Sequence, residues 1–218
     1  MRVARRLTVA VAFGVLMLTL ACGHPSGQPN AAPARDPVAP DSFQVSIATS
    51  RGPLLLSVHR DWAPLGVDRF YQLVKRRYYD GARIYRVVPG FVAQFGLAAD
   101  PRLTATMRNR RFPDDSVRRS NVRGTVSFAR GDRNTRTAQL FINLVDNKRL
   151  DAADGFGFPP IGRLVNGMEV AAQFDAEYEG TMPFTVQDSI TEQGNAYLVR
   201  VYPRLDFIVT MTIVKQWR

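Results

Sequence analysis

Cysteine occurs once in this chain, at Cys22, and histidine twice, at His24 and His59. A single cysteine allows no internal disulfide, so packing alone must hold the fold. One cysteine and two histidines give no cluster with metal-ligand spacing, and no metal is expected. A Ser-His-Asp arrangement would have to use His59, which lies in an alternating apolar stretch, and no Gly-x-Ser-x-Gly motif stands ready to partner it. No glycine-rich phosphate loop follows a strand-like run, and no cofactor is expected. Hydrolase and metalloenzyme chemistry therefore lack their groups. Long apolar runs are scarce too. The one at Leu7 to Ala21 is short and lopsided for a membrane span.

That run has another use. Arg2, Arg5 and Arg6 precede it and small residues end it, which is the layout of a secretory signal over residues 1–21. Cys22 follows directly in LTLAC, which resembles the bacterial lipobox, although Thr19 and Leu20 depart from its usual residues. The resemblance implies that Cys22 is lipidated and becomes the first residue of the mature chain; the alternative is an incidental cysteine at the cleavage site. Residues 22–40 then form a tether, with Pro25, Pro29, Pro33, Pro37 and Pro40 among Ala, Gly and polar residues. Such composition buries no core and favours extended, semi-rigid conformations. His24 lies here and reads as solvated. The expected location is the bacterial cell envelope, exported and anchored by lipid.

Lysine is the third scarcity: 3 residues against 26 arginines, in a chain of net charge +10. A GC-rich genome is the bland source of that ratio. The clustering says more, because residues 102–136 hold ten arginines against Asp114, Asp115 and Asp132. A basic stretch can attract nucleic acid, anionic lipid or acidic peptide. Nucleic acid is not expected outside the cytoplasm, which leaves an anionic envelope surface or a solvated connection.

In the 218-residue chain, residues 41–218 have the length of one domain plus an elaboration. Phe43, Val45 and Ile47 alternate, as do Leu54, Leu56 and Val58 after Ser50-Arg51-Gly52, which predicts a hairpin. Ala63-Pro64 opens a helical pattern through Val67, Phe70, Tyr71, Val74 and Tyr78. Strands are expected at Ile84 to Val88, Phe91 to Gly96, Thr125 to Ala129, Gln139 to Leu144, Ile161 to Val165 and Phe207 to Val214. A short helix is expected over Gly167 to Phe174, and an irregular basic loop over 100–123. Many strands with two well-separated helices predict a closed antiparallel barrel.

An arginine inside an alternating apolar strand is expensive to bury. Arg86 is such a residue, in IYRVVPGFVAQFG from Ile84 to Gly96. On a strand Arg86 and Val88 share one face, and the Pro89-Gly90 bend can return Phe91 and Gln94 toward it. Spacing alone leaves two readings: an ion-paired core arginine or a site.

The same run resembles the cyclophilin signature, aromatic-His/Tyr-Arg-apolar-apolar-Pro-Gly-Phe-apolar-x-Gln-Gly-Gly. GTVSFARGDRNTRTAQLFINL, Gly124 to Leu144, is similar to the family's second conserved block. Helix 64–78 with the YYDG that follows it, and IGRLVNGMEV at 161–170, agree in order; the likeness spans about residues 43–174. It implies a mainly β fold, an eight-stranded antiparallel barrel capped by two helices, and peptidyl-prolyl cis–trans isomerase activity on proline-containing polypeptides. It implies catalytic roles for Arg86, Phe91 and Gln94. Substrate contacts are implied for Val92, Ala129, Arg130, Gln139, Phe141, Leu150 and Phe158, through main chain for Ala129 and Arg130. This chemistry needs no nucleophile, metal or proton shuttle, only a tighter grip on the twisted amide than on either planar form.

Phe95 and Leu97 depart from the family's Gly and Asp, Leu140 replaces a phenylalanine, and Arg130 replaces an asparagine. Arg149 stands where many members carry tryptophan, which weakens expected cyclosporin binding. Residues 175–204 form an elaboration that could complement the arginines, lengthen the groove or pack a loop. The competing functions are a non-catalytic peptide-binding scaffold on the same barrel and a basic module for anionic envelope polymers.

Overall fold

The computed structural model describes residues 37–179 and 186–218. The signal segment, Cys22 and tether residues 23–36 lie outside them. Strands β1 (Ser42–Thr49) and β2 (Gly52–His59) pair residue for residue from Ser42↔His59 to Thr49↔Gly52. Their alternate side chains, from Phe43 to Val58, are buried in one core. The helix that follows, α1 (Pro64–Lys75), has proline in its first turn but no cap of its own. Asp115 supplies one from afar, accepting from the backbone N–H groups of Leu65 and Gly66 at 2.9 Å each. Val67, Phe70, Leu73 and Val74 then close over the core.

The other strands are β3 (Arg86–Val88), β4 (Val92–Phe95), β5 (Thr125–Phe128), β6 (Leu140–Asn143), β7 (Pro160–Asn166) and β8 (Ile208–Trp217). They form one eight-stranded sheet in the order β3-β4-β6-β5-β7-β2-β1-β8, every neighbouring pair antiparallel. The expected closure is absent: β3 and β8 are the two ends of the ladder. Three residues of β3 are too few to carry a second ladder. The chain just before it makes irregular bonds instead, from Gly81 N–H to Ile208 C=O and from Ile208 N–H to Ala82 C=O, at 2.8 and 2.9 Å. Inside the sheet a gap of only about 10 Å³ remains among Ile47, Leu56, Phe70 and their neighbours. That is barely the space of one water, so the interior is a packed core and not a ligand cavity.

The expectation of two helices also needs correction, since five α-helices lie among the described residues. The supposed loop at 100–123 begins with α2 (Pro101–Arg108), capped by Asp100, whose side chain accepts from Arg102 N–H at 2.8 Å. Only Thr104 and Met107 of α2 are buried, too little apolar content to read as a helix among so many arginines. The short α3 (Met168–Ala171) is the second helix expected. The elaboration contains α4 (Val186–Gln193) and α5 (Asn195–Val201). Val186, Ile190, Leu198 and Leu205 form a second small core there with Tyr85 and Leu97.

Candidate functional site

Strands β3 and β4 form a hairpin in which Arg86 stands opposite Gln94 and Val88 opposite Val92. Gly90 takes a φ of 72° in the connecting turn, a conformation that suits glycine. Across the next ladder Gln94 faces Phe141 of β6. Strand alternation therefore puts Arg86, Gln94 and Phe141 in one row, while Ala93, Leu140 and Ile142 point into the main core. Leu140 is a core residue, as its replacement of phenylalanine suggested.

The polar groups of this row are tied together. Arg86 Nη1 donates to Gln94 Oε1 at 3.2 Å. Gln94 Nε2 donates to Tyr85 Oη at 2.8 Å and to Gln139 Oε1 at 3.1 Å. Tyr85 Oη in turn donates to Gln139 Oε1. Each amide thus has a fixed orientation, and the Gln139 Oε1 is engaged on the sheet side, leaving its N–H groups for a ligand carbonyl. Tyr85 is only 2% exposed. Burial pushes its phenol far above the ordinary value, against the opposing effects of Gln94 and Arg86. It remains a neutral donor at any physiological pH.

Beside this row lies an apolar patch of Val92, Phe141 and Leu150, with Phe91, Ala129 and Phe158 packed on it. The rings of Phe141 and Phe158 meet edge to face at 5.6 Å. Leu150 is carried by a 3-10 turn, Lys148–Asp151, which is held from beneath. Asp151 accepts from Asn121 N–H and Nδ2 at 2.7 and 2.8 Å, and Asn121 Nδ2 also reaches Phe158 C=O at 2.9 Å. Burial works to raise the Asp151 carboxyl, but donors from Ser120 and Asn121 outweigh it and hold it below the usual carboxylate value. Asn147 Nδ2 bonds the Phe91 carbonyl at 2.9 Å. Sequence reasoning missed this support of Asn121, Asn147 and Asp151. Isolated polar residues in turns carried no pattern by which to find it.

All ten residues singled out from the sequence line one groove of about 350 Å³, together with Gly131, Thr135, Thr137 and Gln187. Its lining contains no carboxylate, imidazole or thiol. Arg130 is placed there in an unexpected way. Its side chain is 1% exposed and pairs with Asp154 at 3.2 Å. It also bonds the carbonyls of Ala153 and Gly157 at 3.3 and 3.1 Å. The guanidinium lies over the rings of Phe156 and Phe158, 3.9 and 4.2 Å from their centroids. It therefore fastens the wall that presents Phe158. Arg149 stacks on Phe91, 4.6 Å from the ring centroid, at the rim.

The departures after Gln94 find their reason in packing. Phe95 is 3% exposed and meets Tyr79 edge to face at 6.0 Å within the main core. Gly96 is required, because a Cβ there would lie 2.6 Å from the Ala138 carbonyl oxygen. Leu97 belongs to the second core, under α4 and α5. The turn is altered to seat the elaboration, while the row of Arg86 and Gln94 stays intact.

Comparison with known proteins identifies the family. The family model described as cyclophilin type peptidyl-prolyl cis-trans isomerase/CLD matches residues 44–195. Peptidyl-prolyl cis-trans isomerase A of Dickeya dadantii is 38% identical over 136 residues, covering 61% of this chain and 71% of that protein. Peptidyl-prolyl cis-trans isomerase B of Escherichia coli is 29% identical over 132 residues, covering 58% and 80%. A crystal structure of a cyclophilin type isomerase from Cryptosporidium parvum superposes with a TM-score of 0.59 at 20% identity, covering 79% of this chain and 98% of that one. The same protein has been crystallised in the presence of the dipeptide Ala-Pro, and that structure gives a TM-score of 0.57 at 20% identity, covering 78% and 98%. With Arg86 hydrogen-bonded to Gln94 beside an apolar slot, and the family model spanning most of the domain, the chain belongs to the cyclophilin-type peptidyl-prolyl cis–trans isomerases.

Proposed function

We propose that this chain isomerises X-Pro bonds in exported or envelope proteins, with Arg86 as the catalytic donor and the Val92-Phe141-Leu150 patch as the proline slot. The barrier to turning an amide, about 18–20 kcal/mol, comes from resonance between its nitrogen and carbonyl. A donor directed at the amide nitrogen favours the pyramidal, non-resonating form, and a guanidinium is always charged and offers several fixed donors. The apolar slot fixes the proline ring, Gln139 receives a substrate carbonyl, and rotation occurs about the gripped bond. Phe91 and Phe158 close the slot; Gln94 aims Arg86.

One observation carries this reading. The residues chosen for a twisted-amide site, scattered from 86 to 158, line a single groove with Arg86 and Gln94 hydrogen-bonded in its wall. The test is acceleration of cis–trans exchange in an Ala-Pro tetrapeptide by the purified chain. Acceleration well above the uncatalysed rate, which takes tens to hundreds of seconds, supports it. Binding of the peptide without acceleration would favour the scaffold reading.

The location belongs to the same proposal. The signal-like residues 1–21, Cys22 and the proline-rich tether support an exported chain held in the bacterial envelope by acylation. A mass measurement of the mature N-terminus checks this. Of the ten arginines in 102–136, Arg136 is buried between Asp114 and Asp115 and Arg130 serves the groove wall. The eight others are exposed, and they support contact with an anionic envelope surface. Salt-sensitive binding to anionic vesicles tests that contact.

A further inference from the structure

The groove does not end at the proline slot. A second hollow of about 350 Å³ shares Gly131, Thr135, Thr137 and Gln139 with it, so the two are parts of one trough. The far side of this hollow is helical. α2 contributes Thr104, Met107 and Arg108, and α4 contributes Asp188 and Thr191. Gln187, one residue earlier on α4, lines the first hollow. Positions 187, 188 and 191 fall on one side of a helix with 3.6 residues per turn. Val186 and Ile190 fall on another and are buried on Tyr85 and Leu97.

α4 is therefore a two-faced element, with one face dry and one lining the trough. The residues that follow it, Gly194 and the start of α5, are bonded to the rest of the domain and set where α4 ends. Asn195 N–H reaches the Ala99 carbonyl at 3.0 Å, and Asn195 Nδ2 reaches the Gly81 carbonyl at 2.9 Å. Gly194 lies so close that a Cβ there would sit 2.5 Å from Ala99 O. Thr191 Oγ1 donates to the Gln187 carbonyl at 2.7 Å, which leaves its lone pairs as acceptors.

We propose that α4 is a second wall of the substrate site, and that this enzyme grips extended polypeptide well beyond the residues next to the proline. Gln187, Asp188 and Thr191 offer an amide, a carboxylate and a hydroxyl to the polar backbone of such a chain. Arg108 and Arg111 line the second hollow with Asp132 and Asp188. Both signs of charge are present, so the hollow selects for length of unfolded chain rather than for charge. The inference rests on the isomerase reading of the first hollow. An extended tetrapeptide spans about 13–14 Å and an octapeptide about twice that, so the two probes sample one hollow and both.

The experiment compares kcat/KM for an Ala-Pro tetrapeptide with octapeptides that extend it on either side, using the full chain. One octapeptide should exceed the tetrapeptide by about tenfold, the scale of one or two added hydrogen bonds. That ratio should fall to about one in Asp188→Ala/Thr191→Ala. Asp188→Lys, at an exposed position, keeps the fold and makes the hollow basic. It should create a severalfold preference for Glu-bearing over Lys-bearing octapeptides that the wild type lacks. A ratio near one in the wild type, or an unchanged ratio and charge preference in the variants, would overturn the second wall. No activity on the tetrapeptide in the wild type would remove the isomerase reading instead, and the second wall with it.

Discussion

The two sides of the trough are held by different forces. The strand side, β3, β4 and β6, fixes Arg86 and Gln94 through ladder register and ties them to Gln139, just before β6, by a ring of hydrogen bonds with defined donors. The helical side rests on a small apolar core of Val186, Ile190, Leu198 and Leu205 against Tyr85 and Leu97. Directional bonds within paired strands hold a geometry to fractions of an ångström. A small satellite core opens at lower free energy than the main one. Chemistry that depends on aim belongs on the first side, and a grip that must tolerate many chain sequences belongs on the second. Tyr85 joins them, with its ring in the helical core and its hydroxyl in the polar ring.

The sharpest break in this comparison is loss of Arg86. Arg86→Ala should lower kcat/KM by about 100- to 1,000-fold, the cost of one preorganised donor, without changing the circular dichroism spectrum. The helical side should respond oppositely. Ile190→Ala should cost about 2–5 kcal/mol where it is buried. Hydrogen exchange should show α4 and α5 opening faster while β4 and β6 stay protected. If the strands lose protection in step, the two sides are a single cooperative unit and the contrast fails.

Tyr85→Phe probes the joint. It keeps the ring and removes the hydroxyl, at about 1–3 kcal/mol of stability for the groups left unsatisfied. Activity should fall by about tenfold as Gln94 and Gln139 lose their fixed orientation, and Tyr85→His should restore part of it through a new donor. The smallest effect is with pH. With no carboxylate, imidazole or thiol in the groove lining, kcat/KM should be flat from about pH 6 to 9, and a bell-shaped profile would mean proton transfer. Stability should behave differently. Burial raises the phenols of Tyr85 and Tyr78, the latter to about 12. The unfolded chain gives up these protons first, so stability is full below about pH 10 and falls as pH rises beyond it. Urea unfolding at pH 8 and at about pH 11 measures this loss, which Tyr85→Phe should lessen.

The strand side was the legible one. The alternation around Arg86 and the Pro89-Gly90 bend define a hairpin, and a hairpin dictates which residues share a face, so Arg86 and Gln94 could be placed together. Leu140 read as core because it replaces one of the family's phenylalanines, and it lies in the main core. The helical side left weaker marks. α2 buries only Thr104 and Met107, and α4 only Val186 and Ile190, too few for a helical period to stand out. Phe95 and Leu97 looked like disturbances of the site because the partners that explain them lie elsewhere, Tyr79 in the main core and Ile190 far along the chain in the second core. Closure of the barrel failed as an expectation because it depended on the length of β3, and strand ends are set by tertiary contacts that no local pattern reveals.

The central claim is that Arg86 acts on the twisted amide rather than on peptide affinity. Wild type, Arg86→Lys and Arg86→Ala should be compared on one Ala-Pro peptide, with Kd read by titration and exchange rate by NMR line shape. The expected result is a Kd within about threefold across the three, under 1 kcal/mol, with exchange falling steeply in both variants because a lysine lacks the planar donor fork. Undiminished exchange in Arg86→Ala would contradict the claim and send the search for the catalytic donor elsewhere in the groove.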